Sequence, residues 1–144
     1  GGILNEQQFH RWSVEPTRQI VDRLRESCPG VPLIGFPRDV GPLAESFVID
    51  TGIDAISLDQ DTSLEWIAET LQPKCTVQGN LDNQVLVKGG EVLDRETKAI
   101  LKALSKGPFI FNLGHGVLPA TPPEHVARVA ELVLGWPATA KEVR

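Results

Sequence analysis

The sequence predicts an α/β fold in which about four parallel strands alternate with amphipathic helices. Three observations carry that expectation. Short apolar stretches occur at residues 31–36, 55–58, 75–79 and 109–113, and each is followed by a segment whose apolar residues recur at helical spacing. A polar residue, in turn Arg38, Asp59, Asn80 and His115, follows each stretch. Short strands apolar on both faces and separated by helices pair in parallel. In parallel α/β folds, ligands bind at the C-terminal strand ends, where those four polar residues fall. An open three-layer domain and half of an eight-stranded barrel share this pattern, and periodicity does not choose between them.

The chain opens on a helix, with Asn5 as its cap and Gln8 completing a capping box. Pro16 suits the first turn of a second helix, in which Ile20, Val21, Leu24 and Cys28 share a face until Pro29-Gly30 stops it. After the first strand, a helix from Pro42 sets Leu43, Ala44, Phe47 and Val48 inward. The second strand ends in Asp59, and a helix over residues 63–71 turns Trp66 and Ile67 inward, with Asp61 or Ser63 as its cap. The third strand runs into Gln78-Gly79-Asn80-Leu81-Asp82, with Asp82 placed to cap a short helical turn. Leu93, Thr97, Ile100, Leu101 and Leu104 then line a helix that Gly107 and Pro108 end. The last strand leads through Gly114-His115-Gly116 to Thr121-Pro122-Pro123-Glu124, which reads as a capping box opening a helix that carries Val126, Val129, Ala130 and Val133.

Composition narrows the function classes. The 144 residues suit one domain spanning 1–144, and 41% hydrophobic with 23% charged residues is ordinary for a globular chain. No apolar run reaches the length of a membrane helix. The Gly1-Gly2-Ile3 start lacks signal-peptide character, and its missing Met suggests that something upstream is absent. A net charge of −5 argues against nucleic acid, and equally against a strong trap for polyanions. Cys28 and Cys75 have no Cys-x-x-Cys spacing, which fits reduced thiols in a cytoplasmic protein. No His-x-x-x-His or Cys/His cluster occurs, so no structural zinc is expected, and no Walker loop, dinucleotide fingerprint or nucleophile elbow is present.

The candidate site residues each admit two readings. Gly114 and Gly116 let the backbone turn around His115 and leave nearby N–H groups for an anion, making the imidazole a donor to a carboxylate or carbonyl. Alternatively, His115 bonds only to its own loop. Gln78 and Asn80 can orient a polar ligand or tie down their loop. Arg38 can grip a carboxylate or pair locally with Asp39 or Asp59. Asp59 and Asp61 are too few for a hard-cation site.

At Asn112-Leu113-Gly114-His115-Gly116-Val117-Leu118-Pro119, followed by Pro123-Glu124-His125-Val126, the sequence resembles the closing signature of uroporphyrinogen decarboxylases. That family's Gln-Gly-Asn-Leu-Asp stands at residues 78–82, and its Gly-Asp-Leu-Asp pattern at 52–59, in the same order and spacing. The resemblance implies the C-terminal half of a distorted (β/α)₈ barrel, and an enzyme converting uroporphyrinogen III to coproporphyrinogen III without metal or cofactor. The protonated pyrrole serves as electron sink, so the protein supplies positioning and charge stabilisation. His115 maps onto the family's substrate-contacting histidine, and Arg38 falls where the family has Lys or Arg. An arginine-rich loop, a central Asp, a Tyr and a Ser or Thr that the family uses would lie upstream of residue 1. No catalytic residue is therefore assigned, and the isolated chain is expected to be inactive. Its open sheet edges and apolar inner face imply a homo-oligomer or a missing N-terminal half as partner; a small-molecule binding module is the alternative. Gln60 stands where the family usually has Trp, and Asn83 where it usually has Pro. Corrinoid methyltransferases of the same fold bind zinc through His-x-Cys, whereas Phe36-Pro37-Arg38 offers neither ligand.

Overall fold

A computed structural model of the chain describes residues 4–137; the Gly1-Gly2 start lies outside them. The elements follow in the order α1 (Glu6–Phe9), α2 (Glu15–Ser27), β1 (Ile34–Gly35), α3 (Leu43–Thr51), β2 (Ala55–Ser57), α4 (Leu64–Trp66), β3 (Thr76–Leu81), α5 (Asn83–Lys88), α6 (Gly90–Leu104), β4 (Phe109–Leu113) and α7 (Pro123–Leu134). The four strands form one parallel sheet in the order β1-β2-β3-β4. Sequential parallel pairing with a helical crossover between neighbours is the repeating unit of a (β/α) barrel wall.

The first helix is capped as expected: the Gln8 N–H donates to Asn5 Oδ1 at 2.9 Å, and the Asn5 N–H to Gln8 Oε1 at 3.0 Å. The expected break before Pro16 is absent. A π-helical turn, His10–Val14, joins α1 to α2, with the Glu15 N–H reaching back to the His10 carbonyl. Widening the ladder just before Pro16 accommodates a residue that has no N–H to give. A second π-helical turn, Ile67–Leu71, extends α4, which Ser63 caps.

The helices cover one face of the sheet. Ile56, Val77 and Leu81 point into that layer and meet Phe47, Val48, Ile67, Leu71, Leu93, Ile100 and Leu104. All five expected residues of α6 are buried. Gln72 holds the sheet's lower rim: its Nε2 donates to the Leu104 carbonyl at 2.7 Å and lies 3.4 Å from that of Pro108. Arg25 donates to Asp54 Oδ2 at 2.9 Å, and the Leu33 N–H to the same oxygen at 2.7 Å, pinning α2 to the start of β1 and β2. These bonds, Arg25 first, hold the Asp54 carboxyl below the usual carboxylate range. Arg128 spans α7 and α6 with a two-pronged bond to Asp94.

Two sequence expectations need correction here, the doubly buried strands and the Thr121 capping box. The strands are not buried on both faces: Ile34 is 50% exposed and Ile110 41%, because no helix among the described residues crosses the second face. Ile20 and Leu24 share a helical face with buried Val21, yet both are exposed, as is Val126 of α7. The Thr121 capping box does not form, since the N-cap is Pro122 and Thr121 Oγ1 makes no hydrogen bond. A residue before proline is pushed out of the helical region, so Pro122 stays extended and the helix begins at Pro123, leaving Thr121 one position too early. No helix among the described residues is long and apolar enough to cross a membrane.

Candidate functional site

The uncovered face and the C-terminal ends of the strands meet in an open concavity of about 490 Å³. Its lining follows from register. Ser57 pairs with Gln78 and Gln78 with Ile110, so these side chains share a face, and Asn112 lies two residues further along β4. Gln78 Nε2 donates to Ser57 Oγ at 3.2 Å, forming a polar strip across β2 and β3. Above it stands the loop after β4, with Gly114, His115, Gly116 and Val117 on the rim and Phe36 opposite.

That loop is held by its own backbone. The Gly114 N–H donates to the Leu81 carbonyl at 2.8 Å. A Cβ on Gly114 would sit 2.3 Å from the Gln60 nitrogen and 2.9 Å from the Asp59 carbonyl carbon, so only glycine fits. The Gly116 N–H donates to His115 Nδ1 at 2.7 Å. Nδ1 is therefore an acceptor, and the neutral ring carries its proton on Nε2. The exposed imidazole offers that Nε2–H as a donor without a partner among the described residues. Asn83 Nδ2 donates to the Gly116 carbonyl at 2.9 Å from the neighbouring loop.

Residues 1–136 match the family profile described as "Uroporphyrinogen decarboxylase (URO-D)". The chain belongs to the uroporphyrinogen decarboxylase family. Its relatives include the uroporphyrinogen decarboxylase of Rhodospirillum rubrum, 53% identical over 132 residues, which are 92% of this chain and 38% of that protein. Those of Paracoccus denitrificans and Roseobacter denitrificans are 46% and 43% identical over 134 residues, 93% of this chain and 39% of each relative. The chain thus spans well under half the length of these uroporphyrinogen decarboxylases.

Within this portion of a uroporphyrinogen decarboxylase, the structure sorts the expected site residues into two groups. Gln78, Gly114, His115 and Gly116 line the concavity together. Asp59 and Asn80 serve the loop after β2. Asp59 is buried and its Oδ2 accepts the Asp39 N–H at 2.6 Å. Asn80, buried inside β3 rather than beyond it, donates through Nδ2 to the Asp59 carbonyl at 3.0 Å and the Thr62 carbonyl at 2.9 Å. Arg38 is exposed, its Nε lies 3.9 Å from Asp39 Oδ2, and it is not among the residues lining the concavity. The loop N–H groups of Gly114 and Gly116 are engaged internally, so these two do not stand free for an anion.

Ser57 and Asn112 were missed by sequence reasoning, and Asn83 stood out only as a departure from the family's usual Pro. The two-residue alternation along β2 and β4, set in register with Gln78, was the available signal for Ser57 and Asn112. Nothing local signals Asn83, whose partner is 33 residues away. The two cysteines are unpaired; Cys75 is buried just before β3, at the far end from the concavity, and burial pushes its thiol up. Among the described residues, no group of three His, Cys, Asp or Glu is placed to hold a metal ion.

Proposed function

We propose that this chain is the portion of a uroporphyrinogen decarboxylase that presents His115 to a carboxylate of the tetrapyrrole substrate, with Gln78 and the edges of Gly114 and Gly116 shaping the approach. The observation that carries this reading is the state of His115: Nδ1 is occupied by the Gly116 N–H, and Nε2–H is left as a donor on the rim of an open concavity. A single neutral donor orients a carboxylate, but it does not neutralise a substrate bearing many of them. The concavity itself is lined by neutral residues, Arg38 lies outside it, and the net charge is −5. Charge neutralisation and proton handling therefore fall to the length of the relatives that this chain does not span, and the isolated chain is non-catalytic. Asp59 and Asn80, though expected at the substrate, act through the loop they brace.

The half-sheet also favours self-association of the isolated chain. Ile34, Phe36 and Ile110 are between 41% and 50% exposed on or beside one uncovered sheet face, flanked by the free edges of β1 and β4. A face of that kind is covered in a stable assembly, and in a solution of the isolated chain the available cover is a second copy. A cytoplasmic setting fits the two unpaired thiols.

The test uses anaerobically prepared uroporphyrinogen for turnover and uroporphyrin, the oxidised octacarboxylate, for binding. The chain is expected to bind uroporphyrin weakly and to release no CO₂. His115→Ala is expected to weaken binding about tenfold, the usual worth of one hydrogen bond to a charged group. Unchanged affinity in that variant would overturn the assignment of His115. Turnover by the wild-type chain would overturn its inactivity and show that an assembly of copies rebuilds a working site. Sedimentation as a monomer would overturn self-association.

A further inference from the structure

We infer that Asn83 is a positioning residue for His115, acting through Gly116. Asn83 is the first residue of α5, but that helix is already capped by Asp82, whose Oδ1 accepts the Gln84 N–H at 2.8 Å. The Asn83 amide is therefore spare for another partner. It crosses from the loop after β3 to the loop after β4 and donates to the Gly116 carbonyl at 2.9 Å.

Gly116 has little else to hold it. A Cβ placed there would meet nothing within 4 Å, and glycine has no side chain to limit its backbone. Its orientation rests on two bonds: its carbonyl to Asn83 Nδ2, and its N–H to His115 Nδ1. The second bond keeps Nδ1 unprotonated and places the imidazole proton on Nε2 of a ring that lines the concavity. If Gly116 turns, its N–H leaves Nδ1, the ring is released to the other tautomer, and the rim loses its donor. Asn83 never reaches the concavity's lining, yet it sets which nitrogen of His115 carries the proton. This rests on the reading of His115 as the donor to a substrate carboxylate.

Asn83→Asp tests it well. A carboxylate keeps the size of the amide but has no N–H to give, and a negative charge in the first turn of α5 suits the helix dipole. The measurement is the tautomer ratio of His115 from imidazole nitrogen and carbon chemical shifts near pH 8, with His115→Ala used to assign its signals among the three histidines. The wild-type chain is expected to show Nε2–H as the dominant form. Asn83→Asp and Asn83→Ala are each expected to lower the ratio of Nε2–H to Nδ1–H by up to about fivefold, the factor one hydrogen bond carries. The Asn83 variants are also expected to weaken uroporphyrin binding when His115 is present, and to have no effect in the His115→Ala background. An unchanged tautomer ratio would overturn the inference even if His115→Ala weakens binding. A shifted ratio with no effect of His115→Ala on binding would sustain the tether and sink only the substrate reading. Unfolding of both Asn83 variants would reduce Asn83 to a purely structural role.

Discussion

Replacing Asn80 with alanine separates a brace from a ligand contact. The side chain is 5% exposed, and its amide donates to two carbonyls of the loop after β2, those of Asp59 and Thr62. The Asp59 carbonyl retains a bond from the Thr62 N–H at 3.2 Å when the amide is removed. The Thr62 carbonyl keeps no such substitute, and it sits in a half-buried position. Two hydrogen bonds of about 1 kcal/mol each, together with one poorly solvated carbonyl, make the expected loss about 2–3 kcal/mol. With a urea dependence of about 2 kcal/mol/M, the unfolding midpoint should fall by about 1–1.5 M. Trp66, one of three tryptophans, lines the adjacent hollow with Asp59 and Thr62 and contributes a local signal to the fluorescence transition. Uroporphyrin affinity, measured well below the lowered midpoint, should change little. A variant that unfolds within about 0.5 kcal/mol of the parent, a difference typical of neutral surface sites, yet binds uroporphyrin more weakly would refute the brace and make Asn80 a contact residue.

Two further outcomes follow from the same geometry. Gly114→Ala forces a methyl group into the backbone of Gln60 and should cost about 3 kcal/mol, the upper end of overpacking, read as a lower urea midpoint. Asp54 has its carboxyl held low by Arg25 and the Leu33 N–H, so the stability it contributes is present above its unfolded value and disappears as pH falls through its lower folded value. Asp54→Asn should therefore lower stability at pH 7 and flatten its decline below about pH 4, checked by thermal unfolding across that range.

Helical periodicity was legible where both sides of a contact are present in the chain. Leu93, Thr97, Ile100, Leu101 and Leu104 share a face in the sequence, and that face is buried in the structure. The same spacing in Ile20, Leu24 and Val126 identified shared faces without showing whether anything covers them. Periodicity states which side chains point together; cover is a property of the rest of the molecule. The Pro122-Pro123 step defeated the capping-box reading because backbone restriction outranked the side-chain pattern. At the site, the ligand-facing and loop-bracing roles of amides could not be told apart from type and position alone. Gln78 and Asn80 stand two residues apart on one strand, yet one lines the concavity and the other is consumed by a neighbouring loop. Histidine 115 remained open between donor and loop bond in the sequence; the structure shows the loop bond at Nδ1 on a ring that lines the concavity.

The sheet order has a consequence for how such a chain comes to be assembled. Each strand pairs with the one synthesised just before it: Ile34 with Ala55, Ala55 with Thr76, Val77 with Phe109. Among the described residues, β2, β3 and β4 each find their template already laid down. Pairing between sequence neighbours limits each loop closure to a single crossover. On a ribosome, this portion grows one β–α unit at a time, each strand adding to the edge of the one before it.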